Sequence, residues 1–234
     1  MTAKPVAYTD EHGTRHTTGK RVVVFDLDGV IVDSFPVMRE AFTIAYAEVV
    51  GDGEEAPFDE YERHLGRYFP DIMRIMGLPL EMEEPFVRES YRLAHRVTVF
   101  DGVRELLHTL DERGFRLAVA TGKSGDRARH LLDQLGLLPL FAHVIGSDEV
   151  ARAKPAPDIV LHALDLLGAA PHEAMMIGDA VTDIESARGA DVMAVAALWG
   201  ESDPHELLAT GPDAVLDKPA DLLEHCPAVH VPVR

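Results

Sequence analysis

Residues Arg21 to Ser34 read RVVVFDLDGVIVDS, and the fold follows from this stretch. Val22, Val23, Val24 and Phe25 form a continuous apolar run rich in β-branched residues, the composition of a strand covered on both faces in a parallel sheet. Asp26 and Asp28 straddle Leu27 and run into Gly29, which places two carboxylates at the carboxyl edge of that strand. Open α/β sheets form their ligand crevices at this edge. Carboxylates buried there without partners are costly, so they require a cation, a donor network or solvent.

Upstream, MTAKPVAYTDEHGTRHTTGK lacks the apolar segment of a signal peptide, and residues 1–20 are expected to form a loosely ordered leader. Downstream, Phe35 to Val50 contains no glycine, and its one proline, Pro36, falls where a first helical turn tolerates it. Phe35, Met38, Phe42 and Ala45 recur on one face, so this segment is expected to be a helix. Gly51 to Pro57 reads as a loop. Phe58 to Arg96 shows no strand alternation and at least three helical pieces.

Helix and strand patterns alternate after Val103, with strands expected at Phe115–Ala120, Phe141–Ile145, Ala174–Ile177, Val192–Ala196 and Ala214–Leu216. The pattern predicts an α/β fold. Its core is a doubly wound, mostly parallel Rossmann-like sheet built from residues 21–34 and 99–234, with an all-helical cap domain inserted at 35–98. Hinges are expected near Ser34 and within Val97–Gly102.

The main strands end at polar residues able to share one centre: Asp26, Thr121, Asp179 and, after a weaker strand, Lys154. An ionised Asp26 at a strand tip can attack phosphorus and form an aspartyl phosphate, while Asp28, beside flexible Gly29, can swing in as acid and base. Asp179 and Asp183 in GDAVTD are four apart and would share a face if a helix began at once. Three aspartates and no thiolate suit a hard ion, favouring Mg²⁺ over zinc. Taken alone, such a pair is more often a helix cap, and only convergence with Asp26 favours a metal.

The Thr121 hydroxyl and amides near Gly122 can donate to phosphoryl oxygens, although the string lacks the glycine spacing of a nucleotide loop. Lys123 is read as a solvent-facing charge. Lys154, restricted by Pro155 and Pro157, is read as the fixed ammonium that neutralises phosphate and nucleophile.

Composition narrows the function further. Forty acidic residues against 22 Lys and Arg give a net charge of −18, a poor background for a polyanionic backbone, so nucleic acid is not an expected partner. No apolar run reaches the length of a membrane span. Cys226 is the single cysteine, which fits a reduced, cytoplasmic setting. Twelve histidines make no HxH or HExxH arrangement. Monomer and homodimer both stay open.

Together these motifs resemble the haloacid dehalogenase-like hydrolase superfamily, in its phosphoglycolate-phosphatase-like and β-phosphoglucomutase-like branch with a helical cap. The four motifs are DLDGVIVDS at Asp26–Ser34, Thr121 in VATGKS, Lys154 in KPAPD and GDAVTD at Gly178–Asp183, and the match spans about Arg21 to Leu223. The resemblance implies Mg²⁺-dependent hydrolysis of a small phosphorylated metabolite, such as a sugar phosphate, with Asp26 as nucleophile and Asp28 as general acid and base. It assigns the metal to Asp26, the Asp28 carbonyl, Asp179 and Asp183, and the phosphoryl group to Thr121, Gly122 and Lys154. It also implies that the cap closes over the crevice.

Dehalogenases and phosphonatases of the superfamily lack the residue equivalent to Asp28, and phosphonatases use a cap lysine. This chain keeps Asp28 and has no lysine between Lys20 and Lys123, which disfavours both. A phosphosugar mutase and a noncatalytic phosphate- or protein-binding module remain as alternatives. Substrate choice is expected in the cap, first at Arg67 and Tyr68 and then at Arg39 and His64. RYFPDIMRIMGLPLE also resembles phosphatases that accompany 3-amino-5-hydroxybenzoate formation in antibiotic biosynthesis, with a common sugar phosphate or phosphoglycolate as the other options.

Overall fold

The computed structural model of the chain describes residues 7–9, 15–17, 21–51 and 53–228. The expected leader lies outside these residues except for β1 (Ala7–Thr9) and β2 (Arg15–Thr17), which pair antiparallel with Tyr8 opposite His16. Next come β3 (Val22–Phe25) and the two-residue β4 (Val32–Asp33), followed by the helices α1 (Phe35–Val49), α2 (Phe58–Glu62), α3 (Phe69–Met76) and α4 (Glu83–Leu93). The two-residue β5 (Thr98–Val99) returns the chain to the core. There α5 (Val103–Glu112), β6 (Arg116–Thr121), α6 (Gly125–Gln134), β7 (His143–Gly146), α7 (Asp158–Leu167) and β8 (Ala174–Gly178) follow. The last elements are α8 (Val181–Gly189), β9 (Met193–Ala197), α9 (Pro204–Ala209) and β10 (Ala214–Leu216).

The six core strands are all parallel in the order β10-β9-β8-β3-β6-β7. Each begins and ends within two residues of its expected position. The run that opens the motif is the central strand, and its four residues are fully buried because both faces are covered. Val23 and Phe25 pack with Leu106, Leu107 and Leu110 of α5 and with Leu131 and Leu132 of α6. Val22 and Val24 turn the other way, onto Ile159, Val160 and Ala163 of α7 and Ile184 and Ala187 of α8. Side-chain alternation along a strand produces this three-layer α/β/α stack. Each large apolar side chain removed from water there contributes about 1.5–3 kcal/mol.

The inserted helices have an apolar core of their own, in which Ala41, Phe42, Ala45, Tyr61, Phe69 and Phe86 are buried together. Phe69 and Phe86 stack with ring centroids 4.2 Å apart, and Phe42 and Tyr61 approach to 4.6 Å. β4 and β5 pair antiparallel, Val32 with Val99 and Asp33 with Thr98, so the outgoing and returning linkers form one ribbon. Two-residue strands are too short to leave a periodic trace in sequence.

Candidate active site

Strand register assembles the site. Phe25 lies opposite Val119 on one side and Ile177 on the other, so Asp26, Thr121 and Asp179 emerge together at the carboxyl edge of the sheet. This is the switch point of a doubly wound sheet: β6 and β7 extend to one side of β3, and β8, β9 and β10 to the other.

Lys154 is the buried electrostatic centre. Its ammonium is 2.6 Å from Asp183 Oδ1 and 2.9 Å from Asp26 Oδ1, and donates to the Ala120 carbonyl at 3.2 Å. Burial alone would lower the Lys154 pKa, but the carboxylates of Asp183 and Asp26 outweigh it and raise the value. Burial pushes Asp26 up to about 7 against the opposing pull of Lys154, and the charges of Asp183 and Asp28 add to the rise.

Asp26 Oδ1 is buried and accepts no hydrogen bond of good geometry, although the Lys154 charge stands beside it. Asp179 is also buried, and burial, Asp183 and Asp26 raise its pKa well above the ordinary value. One oxygen from each of Asp26, Asp179 and Asp183 lies within 4.8 Å of the others. A packed set of hard oxygen donors carrying excess negative charge fits Mg²⁺. The Asp183 oxygens are already engaged, Oδ1 by Lys154 and Oδ2 by the Ala180 amide at 3.1 Å, so Asp26 and Asp179 have the freer donors. Gly29, with φ of +82°, lets the backbone pass close to this cluster: a Cβ there would lie 2.2 Å from Asp179 Oδ2.

Two expectations about local structure change. Asp179 and Asp183 do not share a helix face, because α8 starts only at Val181. They meet through the turn before the helix, where Asp183 folds back onto the Ala180 amide. Lys123 is not solvent-facing: its side chain is 11% exposed and its ammonium lies 3.1 Å from Asp28 Oδ2. The turn after β6 aims it into the crevice. Ser34, at the head of α1, donates from Oγ to Asp28 Oδ1 at 2.5 Å instead of capping the helix. Burial raises the Asp28 pKa, but Lys123 and Ser34 together hold it below the ordinary carboxylate value.

Thr121 is buried at the end of β6, and its Oγ1 accepts from the Lys123 amide at 3.2 Å. Gly122 meets the cap. A Cβ at Gly122 would lie 2.6 Å from the Gly66 carbonyl oxygen and 2.8 Å from that of Arg67. Gly66 in turn leaves no room for a Cβ against Thr182 Oγ1, 2.3 Å away. The cap loop therefore rests directly on the core, glycine against glycine.

Between cap and core lies a crevice of about 660 Å³, counting its open mouth. Asp26, Asp28, Thr121, Gly122 and Asp179 border it from the core, while Arg67, Tyr61, Phe69 and Phe86 border it from the cap. Of the four cap residues singled out in sequence, Arg67 alone borders this space. Tyr68 donates its hydroxyl to Glu83 Oε1 at 3.4 Å. Arg39 is exposed over the rings of Phe35 and Phe58, 4.0 Å from Asp59. His64 is half-buried in the turn after α2, where its carbonyl accepts from the Arg67 amide.

Two charged bordering residues were not singled out in sequence, Glu201 and Arg127. The Glu201 amide donates to Asp179 Oδ2 at 3.2 Å. The Arg127 guanidinium lies 5.1 Å from the Phe86 ring centre and donates to Ser90 Oγ at 3.0 Å. Arg127 has a sequence signature: it is four residues before buried Leu131 and so falls on the inward face of α6.

A model of the haloacid dehalogenase-like hydrolase family matches residues 20–191. Phosphoglycolate phosphatase of Caulobacter vibrioides is 33% identical over 234 residues, covering 92% of this chain and 97% of that protein. Pyrophosphatase PpaX of Listeria monocytogenes is 32% identical over 212 residues, covering 88% and 96%. A haloacid dehalogenase-like family protein from Streptococcus pneumoniae superposes with a TM-score of 0.78 at 25% identity, covering 89% of this chain and 99% of its own. With the aspartate cluster at the switch point and helices inserted between β4 and β5, the chain belongs to the haloacid dehalogenase-like hydrolases, in the phosphoglycolate-phosphatase-like branch with a helical cap, as a phosphatase of the Mg²⁺-dependent kind.

Proposed function

We propose that this enzyme hydrolyses a small phosphate monoester, a sugar phosphate or related metabolite, through an aspartyl phosphate on Asp26. The observation that carries the reading is the Asp26 carboxylate, buried at the switch point without a good hydrogen bond to Oδ1 and flanked by the Lys154 cation. The Lys154 ammonium, 2.9 Å from Oδ1, opposes the effect of burial and favours the ionised carboxylate that can attack.

In the first step an Asp26 oxygen attacks phosphorus, the bond from phosphorus to the leaving oxygen breaks, and Asp28 gives that oxygen its proton. In the second step Asp28 takes a proton from water as the water oxygen attacks the acyl phosphate, releasing phosphate and restoring Asp26. Held ionised by Lys123 and Ser34, Asp28 is set as the base of the second step and must gain a proton before the first. Lys154 offsets charge at the nucleophile, and the Thr121 hydroxyl and Gly122 amide orient the phosphoryl oxygens. Asp26, the Asp28 carbonyl and Asp179, with Asp183 behind them, would hold Mg²⁺, which when bound would supply charge neutralisation on those oxygens.

Residues 35–98 act as the cap, and its aromatic wall at Tyr61, Phe69 and Phe86 excludes water from the leaving group. The crevice volume suits a metabolite instead of a polymer, and relatives named for phosphoglycolate and pyrophosphate point to small substrates. We place the enzyme in the cytoplasm as a monomer or homodimer. No helix among the described residues is long and apolar enough to cross a membrane.

The test is turnover of a panel of phosphate monoesters with Mg²⁺. Asp26→Asn and chelation should each remove at least about 10³-fold of kcat, and acid-quenched wild type should carry phosphate on Asp26. Substantial turnover in both the variant and the chelated enzyme would overturn the mechanism.

A further inference from the structure

The segment after β9, Trp199, Gly200 and Glu201, touches both halves of the metal site and has no part in the proton and phosphoryl steps. On one side the Trp199 indole Nε1 donates to the Val30 carbonyl at 3.0 Å. Val30 lies in the tight turn that follows the nucleophile. There the Gly29 amide donates to the Val32 carbonyl at 3.0 Å, and the Ile31 and Val32 amides donate to the Leu27 carbonyl at 2.9 and 3.0 Å. Asp28, whose carbonyl is assigned to the metal, belongs to this turn.

On the other side the Glu201 amide donates to Asp179 Oδ2 at 3.2 Å. Gly200 passes so close to Asp179 that a Cβ would lie 2.4 Å from Oδ2 and 2.5 Å from the Asp179 Cβ. A Cβ on Gly29 would lie 2.2 Å from the same Oδ2, so the Asp179 carboxylate is slotted between two strips of backbone. The segment is pinned at its base, where the Leu198 amide donates to the Leu216 carbonyl at 2.9 Å. The Trp199 ring packs against the apolar layer that includes Val30.

We propose that residues 199–201 are a positioning clasp, which fixes the span between the Asp28 carbonyl and the Asp179 carboxylate and so selects Mg²⁺ over Ca²⁺. Mg²⁺ demands a compact, near-ideal oxygen shell, whereas Ca²⁺ accepts longer and more variable distances. A ligand pair free to drift therefore penalises the smaller ion first. Groups that orient metal ligands from outside carry a share of the affinity although they never touch the ion. The assignment rests on reading the Asp28 carbonyl and Asp179 as ligands.

The test uses the chelator-stripped full chain without substrate, as wild type, Trp199→Phe, Gly200→Ala and Asp179→Asn. The rise in Tm with Mg²⁺ or Ca²⁺ concentration reads affinity without turnover. Trp199→Phe keeps a ring on the apolar layer and removes the donor, and Gly200→Ala drives a methyl into Asp179. Each should need at least about 10-fold more Mg²⁺ for the same rise, while Ca²⁺ stays within about 3-fold. Turnover of Trp199→Phe should fall at limiting Mg²⁺ and recover at saturating Mg²⁺. Because Trp199 is the single tryptophan, its fluorescence gives a second titration in wild type and Gly200→Ala, and either clasp variant carries the comparison if the other does not fold.

Unchanged Mg²⁺ affinity in the clasp variants, with affinity lost in Asp179→Asn, would overturn the clasp and leave the metal reading standing. Equal weakening of both ions would overturn the selection of Mg²⁺ and reduce the segment to general support of the site. Full Mg²⁺ affinity in Asp179→Asn, or no response of wild type to either ion, would overturn the metal reading and the clasp with it.

Discussion

The ammonium of Lys123 stands 3.1 Å from Asp28 Oδ2, which ties the acid and base of the proposed reaction to a cation inside the crevice. Burial raises the Asp28 pKa, and Lys123 and Ser34 more than offset it. Lys123→Met removes the largest influence opposing burial, and because Asp28 must be protonated to act as the acid of the first step, the alkaline limb of the kcat/KM profile should move to higher pH. Ser34→Ala should move it in the same direction. Profiles that coincide with wild type would detach Lys123 from the protonation of Asp28.

Metal-free protein should be less stable at alkaline than at mildly acidic pH. Asp26 is raised from 3.8 to about 7 by burial, with Asp183 and Asp28 adding to the rise, and Asp179 shifts in the same sense. The folded state therefore binds more protons than the unfolded state between these values. Stability from this source is full below the unfolded pKa and is lost as pH rises through about 7. Urea midpoints measured with a chelator should fall across that window, and Mg²⁺ should restore the midpoint most on the alkaline side. A chelated midpoint that rises with pH there would contradict the assignment.

Lys154→Met should be strongly destabilising. The substitution keeps the apolar stem but leaves Asp26 and Asp183 buried without their shared cation, a loss of about 3–5 kcal/mol. Denaturant unfolding measures it. Mg²⁺ should reduce the loss by replacing some of the missing positive charge.

Gly122→Ala should impair catalysis more than folding. The new methyl would meet two backbone carbonyl oxygens of the cap loop, at 2.6 and 2.8 Å, and backbone cannot swing aside as a side chain can. Cap and core keep their separate apolar interiors, so Tm should stay within about 2 °C. Misplacing the cap should lower kcat/KM by about 100-fold. Gly66→Ala should lower kcat/KM likewise, since Thr182 Oγ1 fills its Cβ position, and its φ of +85° adds backbone strain of about 1–2 kcal/mol that lowers Tm as well. A large Tm loss with normal kinetics would show that the contact serves stability instead.

Much of this architecture was legible because its signals are local. Four buried residues followed by Asp26 mark the central strand, and polar residues at later strand ends converge because parallel register makes them. What the chain order conceals depends on the third dimension. Lys123 looks like a surface charge until the cap is laid over it. The meeting of Asp179 and Asp183 comes from a turn that residue spacing misattributes to a helix. Arg67 borders the crevice as its loop suggested, whereas neighbouring Tyr68 is drawn aside toward Glu83. Arg127 was hidden because an arginine on a helix is ordinarily solvated, and only its spacing to Leu131 marks it as inward.

The central strand pairs Val22 with Ala174, residues far apart along the polypeptide. During synthesis on the ribosome, a nascent chain that has emerged only as far as β7 already displays Asp26 but lacks the strand that forms the other wall beside it. Such distant pairings are slow to form and leave an edge open meanwhile. Incomplete translation products should therefore be catalytically silent, with turnover beginning only after the GDAVTD segment clears the exit tunnel.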